Sequence, residues 1–258
     1  MRVAKFYLPG GLSPKMSGHS HAKTVMATKM ANAAKKGKTL SKYGRLITIA
    51  VKDGGGSGDP TKNSKLKAII DQAKNMNMPK ENIERAIKKG TGELAGENLE
   101  EVSYEGFGPA GVALIIEGIT DNSNRTLGEI RSILNQNNGK IAGEGAIRWM
   151  FDRKGAIAIN NEQGAVNKDE FEMLAIDAGA DDIDFEEKEI YVYTKPEDLE
   201  KVKKALEEKG IKVESASLEY VAKEEVEISE KEKEQLQRLL DALDDNDAVN
   251  NIYSNTKN

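Results

Sequence analysis

The sequence predicts an α+β protein: an N-terminal all-helical basic domain followed by two ferredoxin-like α/β domains, one inserted in the other. Three observations carry that prediction. Hydrophobic spacing is helical up to about residue 90 and alternates between extended and helical beyond it. From Ala156 to Val221 the elements read β, α, β, β, α, β, the split pattern of a ferredoxin-like unit. Charge is segregated, with 19 Lys/Arg against 5 Asp/Glu in residues 1–90, 6 against 10 in 91–160, and 13 against 28 in 161–258. The overall net charge of −5 therefore conceals a front of +14 and a back of −15.

In chain order, Lys23 to Lys36 has no breaker, and Met26, Met30, Ala33 and Ala34 recur at helical spacing. Gly37 stands where a C-cap would end that helix. Thr39 or Ser41 caps a second helix, with Tyr43, Leu46, Ile47, Ala50 and Val51 as its apolar stripe and Lys42, Arg45 and Lys52 on the opposite side. The stretch Gly54–Pro60 is a flexible joint. Asp59 and Pro60 then open a third helix whose inward face is Leu66, Ile69, Ile70 and Ala73. Pro79 starts a fourth, with Ile83, Ala86 and Ile87 inward and Gly90 at its end.

Strands follow at Val102–Glu105 and Val112–Ile119, joined by the turn GFGPAG, then a helix at Asn124–Asn135 and a strand at Ala146–Phe151. The second unit consists of a strand at Ala156–Ile159, a helix at Asn167–Ala178, a hairpin of Ile183–Phe185 and Ile190–Tyr193, a helix at Pro196–Lys209 and a strand at Val213–Val221. A capping box at Ser229 and Glu232 opens a last helix, buried through Leu236, Leu239, Leu240 and Leu243, before a strand at Val249–Tyr253. These last two elements complete the interrupted sheet. The expected domains are a disordered extension or alternative start at 1–15, a basic helical domain at 16–95, a middle α/β domain at 96–152 and 223–258, and an inserted ferredoxin-like domain at 153–222.

Several chemistries are excluded. With no cysteine, thiolate metal sites, Cys nucleophiles and disulfides are ruled out. His19 and His21 are the only histidines and have no ligating neighbours, so neither a metal site nor a Ser-His-Asp set is expected. The GxGxxG of Gly106, Gly108 and Gly111 contains Pro109 and is followed by a strand, so it is not a dinucleotide loop. Gly37, Lys38 and Thr39 resemble the end of a phosphate loop, but Asn32 stands where its first glycine belongs. The longest apolar run, Gly111–Ile116, is too short for a membrane span. The sequence thus predicts a protein without catalytic residues, cofactor or membrane partner.

The positive front predicts a polyanion partner, DNA or ribosomal RNA, since phosphate neutralisation dominates nucleic-acid affinity. Lys35, Lys36, Lys38, Lys42 and Arg45 fall within eleven residues, and Lys23, Lys29, Lys65, Lys67, Lys88 and Lys89 lie on the same group of helices. His19 and Ser20, in the tail before them, complete the candidate binding set. Tyr43 is the only aromatic residue between Met16 and Gly90 and sits on an apolar stripe, which favours groove or backbone contact over base stacking. The acidic α/β domains are expected to contact proteins or to position the basic domain.

MSGHS (Met16–Ser20), AKKGK (Ala34–Lys38), MPKENIERAIKKGTGE (Met78–Glu93), YEGFGPAG (Tyr104–Gly111) and DNSNRT (Asp121–Thr126) together resemble the YebC/PmpR family, from Met16 nearly to the end. The resemblance implies three domains and a cytoplasmic, DNA-binding regulator of transcription. The alternative it implies is a translation factor on ribosomal RNA, as in relatives that activate mitochondrial cytochrome oxidase synthesis or help stalled ribosomes. The chain departs from the family at His21 and Ala22, where Lys-Trp is usual, and at Ser123, where an Arg is usual.

Overall fold

The computed structural model describes residues 33–96, 98–161, 167–186 and 189–256, and of residues 33–36 the backbone only. The expected helix at 23–36 lies outside these residues up to Ala33. From Ala33 a single helix, α1 (Ala33–Asp53), runs straight through Gly37, so the expected break there does not occur. No Cβ contact constrains Gly37, and the tertiary contacts of the turns that follow outweigh the roughly 0.5–1 kcal/mol a helical glycine costs.

Helix α2 (Ser64–Asn75) is capped by Asn63, whose side chain accepts from the Leu66 N–H. The expected opener, Asp59, instead binds the N–H of Thr61 in the preceding turn. Helix α3 (Lys80–Thr91) follows Pro79 and ends at Gly92, which takes the left-handed conformation with φ +82°. Gly90 is helical and is needed for a different reason. A Cβ on it would lie 2.6 Å from the Val51 Cβ and 2.8 Å from the Thr48 carbonyl oxygen, so α3 crosses α1 at this point. The Thr48 hydroxyl donates to the Ala86 carbonyl at 3.1 Å across the same contact. Ile47, Ala50, Val51, Leu66, Ala73 and Ile83 form the shared core.

The first sheet is built from β1 (Glu100–Phe107), β2 (Ala113–Thr120), β3 (Lys140–Ile141) and β8 (Val249–Ser254). Its order is β3-β1-β2-β8, antiparallel throughout. Alternation sends Leu114 and Ile116 to one face, where α4 (Ser123–Gln136) and α7 (Glu230–Asp244) cover them with Ile130, Leu134, Leu236, Leu239 and Leu240. The capping box of Ser229 and Glu232 opens α7. Ala113, Ile115 and Tyr253 face the other way and pack against Ile147 and Phe151.

The second sheet is built from β4 (Phe151–Asn160), β5 (Asp182–Phe185), β6 (Glu189–Thr194) and β7 (Val213–Ala222). Its order, β5-β6-β4-β7, is the ferredoxin-like arrangement. Helices α5 (Lys168–Ala178) and α6 (Leu199–Glu208) bury Phe171, Ala175, Val202 and Leu206 on Ile157, Ile159, Ile190 and Val192. The two strands expected at 146–151 and 156–159 are not separate. One strand starts at Phe151, and residues before it form a loop and a single 3₁₀ turn at Arg148–Met150. The chain leaves the first sheet before β4 and returns to it at β8, so the second sheet is inserted in the first.

Candidate nucleic-acid interface

The predicted binding residues divide into three groups. His19, Ser20, Lys23 and Lys29 lie outside the described residues, as do the side chains of Lys35 and Lys36. Lys67, Lys88 and Lys89 are exposed and pair with no carboxylate among the described residues. Lys38, Lys42, Arg45 and Lys65 are engaged within the molecule.

Lys38, Lys42 and Arg45 recur at i, i+4 and i+7, so they share one stripe of α1. That stripe meets the C-terminal end of α7. Lys38 Nζ donates to the Asp245 carbonyl at 3.0 Å, Lys42 Nζ to the Asp244 carbonyl at 2.7 Å and to its carboxylate at 3.0 Å, and an Arg45 guanidinium N–H to the Asp247 carbonyl at 2.9 Å. Lys42 is only 6% exposed. Lys42 stands off the apolar stripe as expected, but a second module covers that side of the helix.

Lys65 bridges Asp53 at 2.6 Å and Glu101 at 3.0 Å, tying α2 to the first strand of the middle sheet. Burial pulls the Lys65 ammonium down, but its hydrogen bonds to Asp53 and Glu101 and their charges outweigh that and leave it above its ordinary value. Burial also pushes the Tyr43 hydroxyl up to about 12, in keeping with its place in the helical core rather than on a stacking surface.

One exposed cation of the head stands outside the predicted set. Arg85 is exposed and stands at i−3 and i−4 from Lys88 and Lys89 on α3, and the three form a ridge. The helical spacing would have found it.

The motifs that carry the family resemblance have architectural roles where they are described. Glu105 is buried, and its carboxylate accepts from the N–H groups of Gly145, Ile147 and Arg148. Ala110 and Gly111 turn the chain with φ of +56° and +76°. A Cβ on Gly108 would sit 3.2–3.3 Å from Leu114, Leu236 and Leu239. The Tyr104 hydroxyl donates to the Ser123 carbonyl, and Asn122 caps α4. Asp121 pairs with Arg125, which lowers its carboxyl, and the charge of Arg45 acts in the same direction.

Fold and site together define a modular α+β protein in which a cationic helical head, with three helices among the described residues, is held against the first of two acidic, two-layered α/β modules. Residues 20–93 match the model of the TACO1/YebC protein N-terminal domain, and residues 99–256 match that of the TACO1/YebC second and third domain. The chain belongs to the TACO1/YebC family. It is 45% identical over 242 residues to a probable transcriptional regulatory protein of Thermoanaerobacter pseudethanolicus, covering 94% of this chain and 97% of that protein. A protein of the same description from Pseudothermotoga lettingae is 46% identical over 240 residues, 93% of each chain. The crystal structure of a conserved hypothetical protein from Aquifex aeolicus superposes with a TM-score of 0.79 at 40% identity, covering 87% of this chain and 91% of that one. No helix among the described residues is long and apolar enough to cross a membrane.

Proposed function

We propose that this protein is a non-enzymatic, DNA-binding regulator of transcription that works in the cytoplasm and holds nucleic acid on its helical head. The observation that carries this reading is the exposed ridge of Arg85, Lys88 and Lys89, with an exposed Lys67 on α2 of the same helical head, on a segment of net charge +14. Cations with no acidic partner among the described residues can replace counterions on phosphate, and the release of those counterions dominates such binding. The names of the relatives, probable transcriptional regulatory proteins, support regulation of transcription as the purpose. The acidic modules, repelled by the polyanion, position the head and face protein partners.

The test is a titration of the full chain with labelled duplex DNA and with a structured RNA across a salt series. Changing Arg85, Lys88 and Lys89 together to Ala weakens duplex binding on all sequences and reduces the slope of log K against log salt by up to about 0.9 for each phosphate that is no longer neutralised. An unchanged slope refutes the assignment. Much tighter binding of the structured RNA at equal salt transfers the head to a ribosomal RNA target and to a role in translation.

A further inference from the structure

We infer that the acidic C-terminal end of α7 is an intramolecular competitor that occupies the basic stripe of α1 until nucleic acid displaces it. This rests on the nucleic-acid reading above and adds a regulatory state to it. The stripe is Lys38, Lys42 and Arg45, and its present ligands are the carbonyl oxygens of Asp244, Asp245 and Asp247 with the Asp244 carboxylate. Three cations at successive turns grip a row of oxygen acceptors. A sugar-phosphate backbone would offer them the same kind of acceptor.

The clasp has a reason to form. A helix C-terminus carries a partial negative charge that a Lys or Arg in the last turn ordinarily offsets. Helix α7 has no basic residue there, and Asp241, Asp244, Asp245 and Asp247 add negative charge instead. The cations that this end needs come from α1.

The clasp also has a reason to open. Lys38 and Arg45 bind neutral carbonyls at exposed positions, where each contact stabilises little. Phosphates would give both a full opposite charge. Of the three cations only Lys42, with Asp244 beside it, is buried, so that pair is the least screened of the three contacts. The head also meets the middle sheet through Lys65 and Glu101, an exposed pair that salt and competing anions weaken. Nucleic acid that takes the stripe therefore frees α7 and separates the head from the acidic modules. In the closed state the stripe is masked, and apparent affinity is reduced by the fraction of molecules that are closed.

A double-mutant cycle on the full chain tests this, read by the anisotropy of a fluorescein-labelled DNA duplex. Asp244→Ala raises affinity about fivefold when Lys42 is present and has no such effect in a Lys42→Met background. Equal gains in both backgrounds would mean that removing one negative charge acts through the general field, and would overturn the proposal. Thermal melts of each variant confirm that it is folded, and Asp244→Asn gives the same comparison with a smaller change of shape. The absence of cysteine allows a pair of spin labels to be placed cleanly at Asn75→Cys on α2 and Ser132→Cys on α4. Their separation lengthens when the duplex binds. Binding by anisotropy with an unchanged separation overturns the clasp while leaving nucleic-acid binding intact, whereas no binding at all by any variant removes both.

Discussion

The Glu105 carboxylate accepts the Ile147 backbone N–H at 2.6 Å, across 42 residues of chain. Two further N–H groups, from Gly145 and Arg148, complete its shell, so one buried acid on β1 pins the segment that leads into β4. That segment carries Trp149, the only tryptophan of the chain and 68% exposed. Glu105→Gln turns an amide donor toward one of these N–H groups and costs about 2 kcal/mol in denaturant unfolding. Tryptophan emission from the folded variant reports the loosened segment directly.

The same group sets a pH dependence. Burial raises the Glu105 carboxyl, but the N–H groups of Ile147, Gly145 and Arg148 and the Arg148 charge together hold it below its ordinary 4.5. A carboxyl depressed in the folded state contributes stability that is fully present above its unfolded value and is lost as pH falls through the folded one. Melts of the wild type decline below about pH 4.5, and Glu105→Gln declines less steeply over that window.

Two helical glycines of the head respond oppositely to one methyl group. Gly37 has open space around its missing Cβ, so Gly37→Ala stabilises the folded chain by roughly 0.5–1 kcal/mol. At Gly90 the added carbon meets the Thr48 carbonyl and the branched Cβ of Val51, neither of which can turn aside. Gly90→Ala costs about 1–3 kcal/mol, and melting curves of the pair separate the two effects.

Asn63 joins α2 to α1. Its side-chain oxygen caps α2 at the Leu66 N–H, and its amide donates to the Ala50 carbonyl at 2.7 Å near the end of α1. Asn63→Ala removes both bonds and costs about 2 kcal/mol. Asn63→Asp keeps the cap yet turns a carboxylate toward that carbonyl, so unfolding measurements place it below the wild type despite its good capping chemistry.

Most elements and their buried faces were legible because both are set by residues close together in the chain. The stripe Leu66, Ile69, Ile70 and Ala73 and the capping box at Ser229 and Glu232 stand where spacing placed them. Caps were less legible. Gly37 and Gly90 both follow lysine-rich helical stretches, yet α1 passes through the first and crosses α3 at the second, and the left-handed cap is Gly92.

By itself, the sequence determined that the protein would have a cationic helical head and acidic α/β modules, because charge and hydrophobic period are local properties. Which cations of the head face water was decided only by the tertiary structure. A helical wheel places Lys42 opposite the core of its own domain, but the acceptor that buries it, Asp244, stands 202 residues further on. Periodicity along one helix records the face that the helix turns to its own neighbours and is silent about a second module that closes over the other side.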